Sequence, residues 1–385
     1  MPPRHIYVHV PFCARRCSYC DFAIAVRRAV PVDEYLDALS REWSLQSSDG
    51  GPWTADTVYF GGGTPSLLGA DGVARLLDLA REHVTLAPDA EVTLEANPDD
   101  VTPEAARVWH ANGINRLSIG SQSFDDRVLR WMHRTHDAAQ IPRAVEAALA
   151  AGIDNLSLDL IFAVPTELGR DWQEDLDRAT SLAPAHVSLY GLTVEPGTPL
   201  ARWRDRGTAT EAPEETYERD FLLAHDILVA AGYDHYEVSN YARAGLRSRH
   251  NSAYWQRVPY AGLGPSAHSF DGVQRRWNVA AYEKWRRRLR DGGDPAAGSE
   301  VLTDGEAAAE RIYLALRTTE GLRMDAPCGL RVADCGLKHP ISEPIARWEG
   351  QGWVVVADGV ARLTVTGWLR LDAIAAALTL TESPY

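Results

Sequence analysis

The chain has 385 residues, and its 53 Asp and Glu outnumber 39 Lys and Arg to leave a net charge of −14. That length carries one large domain with one or two small ones. The acidic balance excludes a general nucleic-acid or anionic-lipid surface, so no nucleic-acid partner is expected. No apolar run approaches a membrane span, and the N-terminus runs into Tyr7-Val8-His9-Val10 without a signal-peptide design, so a soluble, cytoplasmic protein is expected.

The first element is the alternating run Ile6 to Val10, read as a strand beginning by His5 and ended by Pro11. A loop follows that holds three of the five cysteines, Cys13, Cys17 and Cys20. A disulfide framework would leave one of these thiols over, and clustered thiols suit a reducing compartment. Structural zinc needs four ligands, for which only His9 stands close by, and buried structural thiols are a further reading. A cubane iron–sulfur cluster held by three thiolates would keep one iron open to an outside ligand.

Beyond the loop, Tyr35, Leu36, Leu39 and Trp43 fall at helical spacing from Val32 onward. Strand Asp56 to Phe60 enters the turn Gly61-Gly62-Gly63-Thr64-Pro65-Ser66. The alternation then repeats: helix Asp71 to Val84, strand Glu91 to Glu95, helix Pro103 to Ala111, strand Arg116 to Ile119. It continues with helix Ala138 to Ala151, strand Asn155 to Ile161, helix Trp172 to Leu182 and strand His186 to Leu192. Six strand–helix units imply an α/β protein with a parallel sheet and right-handed crossovers. Unusual residues gather at the strands' C-terminal ends, as the rim of a barrel requires. Six units are too few for eight strands, so an open (β/α)6 part-barrel is expected.

The rim residues have individual chemistries. The glycine turn lacks the ending of a phosphate loop, but lets a ligand approach the backbone closely. Glu95, before Asn97-Pro98, could accept hydrogen bonds from a ribose. Gln122 could fix hydroxyls, and Arg134 suits bidentate contact with a carboxylate. Asp159 lies in an apolar strand and needs a partner or a ligand. Thr193 and Glu195 close the sixth strand.

The spacing C-x3-C-x2-C, with Tyr19 before the third cysteine, resembles the signature of radical S-adenosylmethionine (SAM) proteins. The resemblance implies a [4Fe-4S] cluster on Cys13, Cys17 and Cys20. It also implies SAM on that cluster, contacted by Tyr7, Tyr19, Gly62, Gly63, Thr64, Glu95, Gln122, Arg134, Asp159 and Thr193. Taken with Leu189 to Thr198, Tyr236 to Ala242, His250 to Trp255 and Gly262 to Phe270, the rim residues resemble the coproporphyrinogen oxidase-like branch of that superfamily. Within it, the chain looks like the heme-chaperone subgroup.

Two departures separate that subgroup from the oxidase. The oxidase pattern carries a fourth cysteine two residues after the third, where this chain has Phe22, and a long extension ahead of the first strand. The resemblance therefore implies a chaperone that binds heme and delivers it to acceptor proteins such as membrane-bound respiratory enzymes, with an electron donor for the cluster. Oxygen-independent coproporphyrinogen III oxidation is the alternative. Phe162-Ala163-Val164-Pro165 stands where the family usually has Tyr-Gly-Leu-Pro.

His250, beside Tyr254 and Trp255, is the candidate heme ligand. Residues 233–295 form an extension to the core of residues 1–232. In it Tyr282, Trp285 and Leu289 share one helical face, the rest being basic and suited to heme propionates or peripheral membrane contact. A linker at 291–295 is expected to lead to a winged-helix-like C-terminal α+β domain over 296–385. That domain has helices Glu306 to Arg317 and Pro344 to Gln351, and a hairpin turning at Asp358-Gly359. Cys328 and Cys335 are read as plain thiols.

Overall fold

The computed structural model describes residues 3–46, 53–325 and 342–379, so Cys328 and Cys335 lie outside the described residues. Strand β1 (His5–Val10) leads to the short pair β2 (Phe12–Cys13) and β3 (Ala25–Val26), then to α1 (Val32–Gln46) and β4 (Trp53–Gly62). The run continues through α2 (Gly69–His83), β5 (Val84–Ala96), α3 (Pro103–Ala111), β6 (Arg116–Gln122), α4 (Asp126–Trp131) and α5 (Gln140–Ala150). Strand β7 (Asn155–Phe162), α6 (Trp172–Ser181) and β8 (His186–Gly191) complete the expected six units.

Local chemistry explains where these elements stop and start. Helix α3 begins where Thr102 accepts a hydrogen bond from the Ala105 amide, with Pro103 in its first turn. Asp171 caps α6 through the Glu174 amide. Ile6, Val8 and Val10 of β1 are wholly buried, as are Leu39 and Trp43 of α1. Each such side chain contributes about 1.5–3 kcal/mol on leaving water.

The chain then runs through α7 (Pro199–Asp205), α8 (Glu214–Ala230), β9 (Asp234–Glu237), β10 (Asn240–Ala242) and α9 (Arg249–Trp255). Strands β11 (Tyr260–Leu263), β12 (His268–Phe270) and β13 (Gln274–Asn278), helix α10 (Tyr282–Arg290) and β14 (Ala296–Val301) follow. Among the described residues one twelve-stranded sheet has the order β14-β13-β12-β11-β1-β4-β5-β6-β7-β8-β10-β9. The six expected strands are parallel, and β11 adds a seventh parallel strand on the open side of β1, pairing His5 with Tyr260 and Val8 with Leu263. Antiparallel strands extend both margins, and β9 and β14 do not meet, so the barrel stays open.

This sheet changes two expectations. Residues 233–295 complete the same sheet as the core instead of standing beside it. The expected linker at 291–295 is the short connection from α10 to β14, which pairs with β13. Buried Glu42 of α1 fastens this region, accepting from the Gly264 amide at 2.8 Å and from Trp285 Nε1 at 2.9 Å. In α10, Tyr282, Trp285 and Leu289 are the buried residues, as their spacing requires.

The last unit holds α11 (Asp304–Arg317), β15 (Leu322–Arg323), α12 (Ser342–Gly350), β16 (Val354–Ala357), β17 (Val360–Leu363), α13 (Val365–Trp368) and α14 (Leu371–Thr379). A capping box of Thr303 and Glu306 starts α11. Asp358 and Gly359 both take positive φ, 52° and 73°, and turn the β16–β17 hairpin. Its three-stranded sheet with helices before and after is the winged-helix-like arrangement expected.

Candidate functional site

The cysteine loop is closed at its base. Cys13 pairs with Val26 in the β2–β3 ladder, and the Arg27 amide donates to the Cys13 carbonyl at 3.0 Å. Its tip is held from across the rim: the Ser18 amide donates to the Met132 carbonyl at 3.1 Å, and the Leu200 amide donates to the Ser18 carbonyl at 2.8 Å. The three thiols therefore share one wall of a cavity of about 450 Å³ at the C-terminal ends of the parallel strands.

The opposite walls carry most of the expected residues. Gly62, Gly63, Thr64, Glu95, Gln122, Arg134, Asp159, Thr193 and Tyr19 all line this cavity. Thr64 Oγ1 donates to Cys13 Sγ at 3.5 Å, and Arg134 Nη1 donates to Cys17 Sγ at 3.4 Å. Arg134 also donates to Asn97 Oδ1 at 2.5 Å and to the Gly120 carbonyl at 2.8 Å, while its Nε is buried without a partner among the described residues. Burial opposes its charge, but Tyr19, Cys17 and Asp99 outweigh that and hold its pKa above the ordinary arginine value.

Glu95 accepts from Tyr59 Oη at 2.8 Å and from the Gly62 amide at 2.9 Å, and burial raises its pKa to about 7. Asp159 finds the partners its apolar strand demands: Ser118 Oγ lies 3.0 and 2.9 Å from its two oxygens, and Ser157 Oγ donates at 3.2 Å. Burial nevertheless raises its pKa. Gln122 has a φ of 65°, a strained conformation for a residue with a side chain, at the end of β6. Thr193 donates to Glu195 Oε1 at 3.1 Å.

The glycine turn is shaped by close packing. A Cβ on Gly62 would come 2.6 Å from the His9 ring, and one on Gly63 would come 2.7 Å from the Phe12 carbonyl oxygen. The turn therefore packs against the end of β1, with Gly63 tight against the start of the cysteine loop. His9 itself is no thiol-site ligand as arranged here. Its Nδ1 lies 3.1 Å from Tyr7 Oη and its Nε2 lies 3.0 Å from the Ala23 carbonyl, which leaves neither nitrogen for zinc.

Two expected residues lie elsewhere. Tyr7 is not on the cavity wall; it points deeper into the barrel, its ring 6.1 Å from that of Tyr59. His250 is 1% exposed, with Nδ1 2.7 Å from Thr57 Oγ1 and Nε2 2.9 Å from Tyr254 Oη. Both ring nitrogens are engaged inside the barrel, and burial lowers its pKa to about 3, which keeps the imidazole neutral.

Several lining residues carried no assignment from the sequence. Asn97 orients Arg134, while Tyr190, Ile161, Leu192 and Ile24 give the cavity an apolar flank. Tyr190 was visible in the run Leu189 to Thr198, but its direction depends on the pleat of β8. Phe22 stands at the cavity edge, 60% exposed.

Three thiols on one wall, an arginine and two carboxylates opposite, all on the rim of a parallel part-barrel, define a radical SAM protein. The Radical SAM superfamily model matches residues 7–179. The heme chaperone HemW of Mycobacterium tuberculosis is 38% identical over 98% of this chain and 95% of its own. The protein of the same name from Bacillus subtilis is 34% identical, covering 82% and 84% of the two chains, and that from Escherichia coli is 36% identical, covering 70% of each. The chain belongs to the HemW family of radical SAM proteins.

Among solved structures, the radical SAM enzyme coproporphyrinogen III oxidase (HemN) from Escherichia coli superposes with a TM-score of 0.82. It covers 98% of this chain and 90% of its own at 23% sequence identity, a likeness of fold. Membership of the superfamily implies a [4Fe-4S] cluster and SAM as cofactors. The donor set fits them: soft sulfur ligands for iron, a buried guanidinium with an unpartnered Nε for a carboxylate, and two carboxylates for hydroxyl groups. Burial raises the pKa of the Cys13 thiol, and that of Cys20 to about 11, so thiolates there call for a positive metal centre.

Proposed function

We propose that this protein is a heme chaperone, binding heme and passing it to acceptor proteins while its rim holds the cluster and SAM. The match along nearly the whole chain to proteins named heme chaperone HemW carries this reading. Phe22 supports it, because an exposed phenyl ring occupies the position of the oxidase's fourth cysteine.

In this reading Cys13, Cys17 and Cys20 hold the cluster. Arg134 faces the methionyl carboxylate of SAM, Glu95 and Asp159 accept from its hydroxyls, and Gln122 and Thr193 complete the wall. The bound cluster supplies one-electron chemistry from an external donor. The acceptors we propose are respiratory enzymes, reached from the cytoplasm by peripheral contact. No described helix is long and apolar enough to cross a membrane. The basic run of α10 is partly neutralised for such contact, since Arg286 bonds Glu34 and Glu283.

The test is an anaerobic assay of the cluster-loaded protein with SAM and a reductant, offering coproporphyrinogen III in one tube and heme in another. Heme binding without loss of carboxylates is expected. Decarboxylation in the first tube would make the protein an oxidase.

A further inference from the structure

Helix α9 serves two sides of the molecule. His250 turns into the barrel, whereas Trp255 borders a separate cavity of about 430 Å³, walled by α9, α11 and the start of β15. Its volume is that of a small-molecule site. Four arginines and one carboxylate, Glu320, reach its lining. Arg247 bonds Glu320 at 2.8 Å, and Arg323 bonds Asp325 at 2.8 Å.

The remaining donors are not satisfied. Arg257 has a side chain only 9% exposed; its Nε bonds Glu310, which Arg275 already shares, and its Nη2 is buried without a partner among the described residues. Trp255 Nε1 is likewise buried and unpartnered, its ring covered by the Arg317 guanidinium at 4.2 Å. Arg311 has no hydrogen-bond or ion-pair partner among the described residues. Burial lowers its pKa, and so does the charge of Arg257.

Arg257 also takes a φ of 53°, a strained backbone for a branched-head side chain, at the turn leaving α9. Buried donors normally find acceptors, and a cavity lined by four arginines and one carboxylate, with two buried unsatisfied donors on its lining residues and an Arg311 unpaired among the described residues, is built to receive an anion. Guanidinium groups pair best with planar carboxylates.

We propose that this cavity is the seat of the heme cargo's propionate carboxylates, with Arg257 and Arg311 pairing to carboxylate oxygens and Trp255 Nε1 donating beside them. The inference rests on the heme-chaperone reading. It places the anchored edge of the macrocycle on the outer side of α9, at a wall remote from the cysteine loop.

The test titrates the cluster-loaded, full-length protein in the presence of SAM with heme and with heme dimethyl ester, whose carboxylates are masked. Wild type, Arg311→Gln and Arg311→Lys are compared. Arg311→Gln is expected to weaken heme binding about tenfold and leave ester binding unchanged, with Arg311→Lys retaining most of the affinity. Heme binding unaltered in Arg311→Gln, or ester bound by wild type as tightly as heme, overturns the site and leaves the chaperone reading standing. The ester comparison needs no variant, so it holds even if a substitution disturbs folding. Failure of wild type to bind heme at all overturns the chaperone reading and this site with it.

Discussion

Tyr59 Oη lies 2.8 Å from Glu95 Oε1, and the same ring stacks on His250 with centroids 5.1 Å apart. One tyrosine thus touches both the rim carboxylate and the buried imidazole. Removing its hydroxyl leaves Glu95 with the Gly62 amide as its protein donor. Tyr59→Phe should therefore weaken SAM binding severalfold and raise the Glu95 pKa further, since a hydrogen bond to a charged acceptor is worth about 1.5–3 kcal/mol. Equilibrium binding of SAM to the two proteins measures this.

The proposed contact of Glu95 with SAM carries a pH dependence. Burial holds its pKa at about 7, and only the ionised form offers its full set of lone pairs to ribose hydroxyls. As pH falls below 7 the carboxylate protonates, so affinity should drop by up to about tenfold per pH unit. The sign is fixed: binding strengthens from pH 6 to 8. In Glu95→Gln the affinity should be weak and flat over that range, as calorimetry at several pH values would show.

The Arg170 side chain is 2% exposed and stands 3.6 Å from both Asp175 and Asp220, themselves buried. Its Nη1 also donates to the Ile161 carbonyl at 2.6 Å, beneath the end of β7. Replacing it with Met leaves buried Asp175 without a cationic partner, while Asp220 keeps Arg219 at 2.9 Å, at a cost of about 3 kcal/mol. Urea unfolding of Arg170→Met should show that loss, and a midpoint equal to wild type would refute it.

Ala163 takes a φ of 53°, where a Cβ is disfavoured, and its amide reaches Asp220 Oδ2 at 3.3 Å. Glycine fits this conformation without strain. Ala163→Gly should raise stability by about 1 kcal/mol, and thermal unfolding would detect the shift.

Cys17→Ala removes one of the three proposed sulfur ligands and the acceptor of Arg134 Nη1. After anaerobic reconstitution the variant should hold little iron and sulfide and bind SAM poorly. A wild-type complement of both would take Cys17 out of the cluster site.

Much of this arrangement was legible because its signals are local. Helix α3 matches its expected bounds, Pro103 and Ala111, since Thr102 and Pro103 mark one end and Asn112-Gly113 the other. The cysteine loop and the glycine turn were visible because each is contiguous in sequence. Strand β5 was expected only from Glu91, because Ala87-Pro88-Asp89 reads as a loop; the structure carries the strand from Val84 through Pro88, with the β4–β5 register shifting near Ala55.

What sequence could not supply was depth and long-range pairing. Alternation puts Tyr7 and His9 on one face of β1, but only the fold shows His9 at the rim and Tyr7 beneath it. The run His250 to Trp255 announced aromatic chemistry without revealing that its histidine and tryptophan face opposite sides of α9. Strand β11 is four residues long beside Gly264-Pro265, too short to reveal its place beside β1.

The pairing of β11 with β1 also fixes an order of events in the life of the chain. The strand that carries the cysteine loop is made well before its second neighbour, which begins at Tyr260, and before Leu200, whose amide holds Ser18. Such distant partners close slowly. A nascent chain therefore exposes its three thiols long before their seat exists, and iron loading belongs to the finished protein.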